Sequence, residues 1–594
     1  MNAAREMRLA MTAAMFVATF VATLVALSAS VTMAQGGRGG RGGAAGTAGG
    51  AAGGAAGGAA QRDTTPGFPI KDQNVITSCT RCHSRDTTTG IVQRISFERK
   101  TPEGWETSIR RMASLNSVDL KPEVAREIVR YLSNNQGLAP AEAKPGRFEA
   151  ERRLISWKYE GDTATERICR SCHSMGRAIL QRRTREEWEL LVATHRGLYP
   201  NSDFQAFRRG GPASPDGPTA PQPMDVAIAH LSRAFPLRTP EWTAWSAAMR
   251  APNIDGAWFV SGYEPGKGAF YGRTVITKTA GTDDAFTTKT TYRYAKSGKT
   301  VTRSGKSVVY TGFEWRGRSM ESPADSGMRE VVSIEPGWQE MSGRWFNGAY
   351  DEFGMDVHFA RVTGGVMIGG VSHRALQANT RDQDLTIFGA NLPAKVLPAA
   401  IDLGPGVKVA KVVKASADSI VLKVDVDSAA AVGSRDLFVA GASRRAGLAI
   451  YDKVSRLKVT PLGGMARTGG AVFPKQFQQF EAIAVNNGPD NKPNTDDDIE
   501  IGLVDATWSM DEYGVTYSDD DVKFIGKLDA RGLFTPALDG PNSERSGSRN
   551  NIGDVWVVAN WQPPDKGAKP LRARAQLIVT VPLYVKFVPA RSAP

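Results

Sequence analysis

Cysteine is scarce in this chain: only 4 of the 594 residues. So few thiols exclude a disulfide-stapled scaffold. Histidine is nearly as rare, at 6. After the N-terminal segment there is no apolar run long enough to cross a bilayer, so no membrane span is expected in the mature body. A dense basic stripe interleaved with aromatics is also missing. The net charge is +13, but residues 1–62 hold five basic residues against one acid, which leaves +9 spread over the remainder. That excess is read as a bias toward anionic protein partners, and nucleic acid is excluded. There is no Walker A loop, no H-E-x-x-H helix and no nucleophile elbow, which removes the commonest phosphoryl-transfer, zinc-protease and serine-hydrolase chemistries. What is present is ordinary globular material, 41% hydrophobic and 23% charged. At about 100–200 residues per domain it makes several domains.

The first segment is a targeting signal. Arg5 and Arg8 precede an apolar run from Leu9 to Leu27, and small residues follow through Ala34. This layout predicts a signal peptide over 1–34 and a periplasmic product; a retained anchor is the alternative. Residues 35–62 are almost entirely Gly and Ala, with nothing to bury, and are expected to form a flexible tether.

All four cysteines fall in two C-x-x-C-H motifs, Cys79-Thr80-Arg81-Cys82-His83 and Cys169-Arg170-Ser171-Cys172-His173. This is the attachment signature of c-type haem. Two thiols add across the vinyl groups of one porphyrin, and the next residue offers its imidazole to the iron. Paired disulfides or a structural zinc would not explain a histidine after both pairs. Two covalent haems are therefore expected.

An internal duplication surrounds the motifs. Arg99-Lys100-Thr101 precedes GWETSIRRM, and Arg182-Arg183-Thr184 precedes EWELLVATH. Trp105, Ile109 and Met112 share a helical face, and Trp188, Val192 and His195 repeat the spacing. A further helix follows in each half, marked by Val124, Ile128 and Leu132, and by Met224, Ile228, Leu231 and Phe235. The equivalent positions Met112 and His195 predict His83 with Met112 on the first iron and His173 with His195 on the second. Core packing is the competing role for Met112; His230, Met175 and Met224 compete with His195. A methionine ligand raises the potential, so electrons should favour passage from the second haem to the first.

The mostly α dihaem cytochrome c domain is expected over 63–250. Three antiparallel β domains should follow: a barrel over 251–362, an immunoglobulin-like sandwich over 363–461, and a β domain over 462–594. Trp258, Tyr292, Tyr294, Trp315, Trp338 and Trp345 supply strand-like aromatics for the barrel, while His358 and His373 read as isolated surface or core residues. Ile420, Leu422, Val424 and Val426 alternate as in a half-buried strand. In the last domain, Leu571, Ala573, Ala575, Leu577, Val579 and Val581 share one face. The Asn486–Asp498 loop is rich in oxygen donors that could hold calcium. Its spacing departs from the EF-hand template and reads as a polar hairpin.

The ordered segments GAWFVSGYEPGKGAFYG, LTIFGANLP, GPDNKPNTDDDIEIGLVDATWSMDEY and GDVWVVANW, behind two C-x-x-C-H motifs, resemble the alpha subunit of quinohaemoprotein amine dehydrogenase. The likeness covers nearly everything after Thr64. It implies haem attachment at Cys79, Cys82, Cys169 and Cys172, with His83 and His173 on the irons and no catalytic residue in this chain. It also implies a small gamma-type subunit bearing a cysteine tryptophylquinone, a beta-propeller subunit, and a soluble cupredoxin or cytochrome acceptor. The activity implied is oxidation of a primary amine to an aldehyde and ammonia. A stand-alone dihaem carrier and a dihaem peroxidase are the rival classes.

Overall fold

The structure is a computed structural model that describes residues 63–147, 159–170, 173, 175–208, 221–347, 354–470, 474–514, 520–565 and 567–581. The expected signal peptide, the tether and Cys172 lie outside the described residues.

Helix starts in the first part follow from capping side chains. Helix α1 (Gln73–Cys79) begins where Asp72 accepts from the Val75 amide at 2.9 Å. Thr101 caps α2 (Pro102–Asn116), which also has proline in its first turn. Helix α3 (Pro122–Gln136) packs Ile128, Val129 and Leu132 inward. In the second half, α4 (Thr163–Arg170) starts beside Asp162, which accepts from the Thr165 amide at 2.7 Å. Thr184 caps α5 (Arg185–Leu198), and α6 (Pro223–Ala234) buries Met224, Ile228 and Leu231. Each half keeps its own apolar core: one gathers Val75, Trp105, Ile128 and Leu132 around Cys79, the other Ile168, Trp188, Val192 and Ile228 around Cys169.

The two basic stretches that mark the duplication are not surface segments. Strand β1 (Glu98–Lys100) pairs antiparallel with β2 (Gln181–Arg183), with Arg99 opposite Arg182. The ribbon joins the halves through its backbone, and all its side chains but that of Gln181 are buried. Arg99, fully enclosed, holds Glu142 through two bonds of 2.9 and 2.8 Å and also donates to the carbonyls of Leu237 and Gly137. Arg182 adds a bond to Glu142 at 3.1 Å. The arginines hold that carboxyl at about 2 against the opposing effect of burial.

Eight antiparallel strands, from Gly256–Glu264 to Gly354–Arg361, close into a barrel when the last pairs with the first. Trp258, Trp315 and Trp345 fill its interior with Tyr292 and Tyr294. The barrel also buries acidic groups that the strand pattern did not mark. Inside it, Glu330 accepts from Trp315 Nε1 at 2.9 Å; on the outer face, where the barrel meets the helical region beside Arg316, Glu103 and Arg147, burial pushes Glu314 up to about 7. The barrel is tied to the haem-motif region by Arg130 on Asp284 at 2.6 Å, by Arg147 on Glu335 at 3.1 Å, and by an Arg316–Glu103 pair.

Two four-stranded sheets follow over one core, in which Ile420, Leu422, Val424 and Val426 are all buried. Among the described strands the antiparallel expectation has two exceptions. Ala375–Gln377 runs parallel to Ala442–Tyr451, and Gly463–Arg467 runs parallel to Leu571–Thr580. Both additions are short edge segments reached by crossing over, which periodicity cannot reveal. In the last strand, Ala575, Leu577 and Val579 face the core as patterned, but Val581 lies past the strand end and is exposed. The Asn486–Asp498 loop joins the antiparallel strands Glu481–Asn486 and Ile499–Leu503. Its Asp497 accepts from the Asp490 amide at 3.0 Å and from Thr495 Oγ1 at 2.7 Å.

Candidate haem centres

Cys79 ends α1, and the chain turns at once. The amides of Cys82 and His83 both donate to the Cys79 carbonyl, at 3.2 and 3.0 Å. That turn gathers both thiols and the imidazole at one helix end. Cys79 and Cys82 are not bonded to each other. Burial, with the charges of Asp72 and Cys82 nearby, pushes the Cys79 thiol up to about 11. This is the reverse of the depressed thiol of a redox-active C-x-x-C pair. His83 is half-buried, and its imidazole is pulled down by burial against a backbone hydrogen bond with Gln93. It is therefore neutral near pH 7, as a metal ligand must be.

In the second half, Cys169 lies in the last turn of α4 and the His173 ring stands opposite His195 of α5. Their ring centroids are 6.4 Å apart with planes inclined at 41°. A metal–imidazole bond of about 2.0–2.1 Å, with the ring centre about 1.1 Å behind its nitrogen, puts two rings on one metal about 6.2–6.4 Å apart. His195 Nδ1 lies 2.8 Å from the Leu191 carbonyl. A carbonyl only accepts, so Nδ1 carries the proton and Nε2 keeps its lone pair. Burial also lowers the His195 imidazole. The ring separation matches that of two imidazoles set in line on one metal, and His195 presents an unprotonated Nε2.

Of the residues that compete with His195, His230 has its Nε2 3.0 Å from the Tyr159 hydroxyl, while Met175 and Met224 are buried among the apolar side chains of the second core. Met112 occupies the position of His195 in the repeated frame, equally far from its capping threonine. It is half-buried, and its sulfur accepts from Asn116 Nδ2 at 3.5 Å. His358 is a half-exposed strand residue near Glu340, and His373 neighbours Ser372; both stand in the β region.

Two further pairs of residues repeat with the motifs. Asp72 and Asp162 cap the motif helices from equal distances before Cys79 and Cys169. A search for a capping residue ahead of each C-x-x-C-H would have found them. A cation also covers each tryptophan: Lys100 Nζ is 4.9 Å from the Trp105 ring centre, and Arg183 is 5.8 Å from that of Trp188. Among the described residues no cluster of three or more His, Cys, Asp or Glu could hold a metal ion. No helix among them is long and apolar enough to cross a membrane.

Four family models match successive stretches. The model described as quinohemoprotein amine dehydrogenase A, alpha subunit, haem binding, covers residues 70–211 and so contains both motifs, Met112 and His195. Those for alpha subunit domains II, III and IV cover 251–362, 368–452 and 457–589. The chain belongs to the quinohemoprotein amine dehydrogenase alpha-subunit family. A quinohemoprotein amine dehydrogenase alpha subunit is the haem subunit of an oxidoreductase complex that includes other subunits. No curated protein matches the chain. Among solved structures, a redesigned beta barrel is similar at 10% identity and TM-score 0.16, over 18% of this chain and 92% of that one. Human mucin-like protocadherin EC1-2 is similar at 14% identity and TM-score 0.14, over 37% of this chain and all of that one.

Proposed function

We propose that this alpha subunit is an exported electron conduit carrying two covalent c-type haems. The amine is oxidised at a quinone on a partner subunit. The opposed His173 and His195 rings, with His195 Nδ1 committed to Leu191, are the observation that carries this reading. Cys79 and Cys82 would hold the first haem and Cys169 and Cys172 the second. His83 with Met112, and His173 with His195, would hold the two irons. When bound, the haems supply one-electron reduction and oxidation within a protein matrix.

The chain's own residues set the conditions for that traffic. Leu191 fixes the tautomer and ring angle of His195. The backbone at Gln93 engages His83. Trp105 and Trp188 exclude water beside the motifs, and the β1–β2 ribbon fixes one half against the other. With Met112 among the residues holding one iron and His195 among those holding the other, the two potentials would differ and electrons would favour passage from the second haem toward the first. Primary amine to aldehyde and ammonia is the reaction at the partner's quinone, and a soluble cupredoxin or cytochrome is the acceptor.

Co-purification from the native periplasm tests the assembly. The alpha chain is expected with a small quinone-staining subunit and amine-dependent reduction of its haems. Isolation of a lone chain whose haems do not respond to amine would refute it.

A further inference from the structure

The helical region meets the barrel over a small group of charges. Helix α2 enters with Glu103 in its first turn, and Glu314 and Arg316 stand two residues apart on the barrel strand Glu314–Met320, hence on one face of it. Arg316 grips both carboxylates. It pairs with Glu103 through Nε and, at 3.1 Å, through Nη2, and the same Nη2 reaches Glu314 at 3.3 Å. Thr311 Oγ1 donates to the other Glu314 oxygen at 2.9 Å, and the Thr311 amide crosses to Asn134 Oδ1 of α3 at 2.7 Å.

A cavity of about 30 Å³ lies at this seam, with Thr101, Glu103, Arg147, Glu314, Arg316 and Ser333 in its lining, and it has room for a water molecule. Tyr310 and Ser333 are directly opposite Glu314 on the two neighbouring strands, so the three side chains share a face. Ser333 Oγ is buried and has no hydrogen-bond partner among the described residues. An orphaned hydroxyl in a polar cavity is costly unless a water completes it. Beyond the cavity, Arg147 holds Glu335 at 3.1 Å, and Arg130 of α3 holds Asp284 at 2.6 Å. Burial lifts the Glu314 carboxyl to about 7, with Arg316 acting against it and Glu103 adding to it. Glu103 stays ionised, since Arg316 outweighs its burial. Glu314 is therefore the group at this seam that changes charge close to neutrality.

We propose that this seam is a proton-operated joint that positions α2, and with it Met112 further along the same helix. Protonated Glu314 leaves Arg316 to Glu103 and donates its O–H to a cavity water shared with Ser333. Ionised Glu314 competes for Arg316, repels Glu103 and draws water into the seam, so α2 is held less firmly as pH rises. The link to the first iron rests on the reading of Met112 above; the joint itself does not.

The test is amide hydrogen exchange with potentiometric titration on the purified holo chain, as wild type, E314Q and E103Q, at about pH 6 and about pH 8, on either side of the Glu314 transition. Two amides report on the seam: that of Trp105, which donates to the Thr101 carbonyl at the start of α2, and that of Thr311. In wild type both should exchange about fivefold faster at the higher pH, after allowance for the intrinsic pH dependence of exchange. The higher-potential wave should fall in step, as the thioether's hold on the iron weakens. E314Q should abolish both responses, and E103Q, which leaves Arg316 to Glu314 alone, should move them to lower pH. Wild-type exchange without the response, or the same response in E314Q, overturns the joint. Exchange that responds while the wave stands still overturns the positioning of Met112. A ferric chain without the near-infrared band of a thioether-bound haem defeats the underlying reading instead, and exchange then judges the joint alone.

Discussion

His173 and His195 stand ring against ring, 6.4 Å between centroids, with His195 Nδ1 tied to the Leu191 carbonyl. Replacing His195 by Ala should leave the second haem attached through its thioethers while its iron loses a strong axial ligand. Electron paramagnetic resonance of the oxidised chain should then show one low-spin and one high-spin centre. Two unchanged low-spin signals would remove His195 from the iron.

Met112 holds the same place in the first half, at the equivalent turn of its helix. M112H should lower the first haem's potential toward that of the second, because imidazole favours the oxidised iron more than a thioether does. Potentiometric titration should show the two waves converge, with haem content unchanged. Waves that keep their separation would return Met112 to packing.

Arg99 is the hub of the ribbon that joins the halves, with no exposure and bonds to Glu142, Leu237 and Gly137. R99A should destabilise the chain by about 3–5 kcal/mol, since it leaves the Glu142 carboxylate buried with one fewer partner. Denaturant unfolding followed by haem absorbance measures this. A loss under about 1 kcal/mol would mean that the ribbon is not a structural joint.

The positions of the haem motifs, the paired tryptophans and the Met112–His195 correspondence were all legible, because a duplicated spacing shows in one sequence. The Ile420–Val426 strand and the buried barrel aromatics were legible from alternation. The burial of Arg99, Lys100, Arg182 and Arg183 was not. Four basic residues in two short runs look like a solvated surface until Glu98, Glu142 and Glu187 are seen to enclose them. Arg183 meets Glu98, and Arg99 and Arg182 meet Glu142, only across long stretches of chain. The parallel pairing of Gly463–Arg467 with the last strand escaped for the same reason, since partners that far apart leave no local pattern.

Glu314 gives the barrel a pH signature. Burial lifts its carboxyl from an ordinary value near 4.5 to about 7. Between those values the folded chain holds a proton that the unfolded chain releases, so this group's contribution favours unfolding increasingly as pH rises toward 7. E314Q should therefore lose less stability than wild type on going from pH 5 to pH 7.5, by thermal unfolding of the two in parallel. Identical pH profiles would mean that the carboxyl is ionised throughout.

The most direct test of the whole account is the pyridine haemochrome of the exported, purified chain, read against its protein concentration. Two haem c per chain, both resisting acid-acetone extraction, is the predicted result. One haem or none, or haem that is extracted, would contradict it.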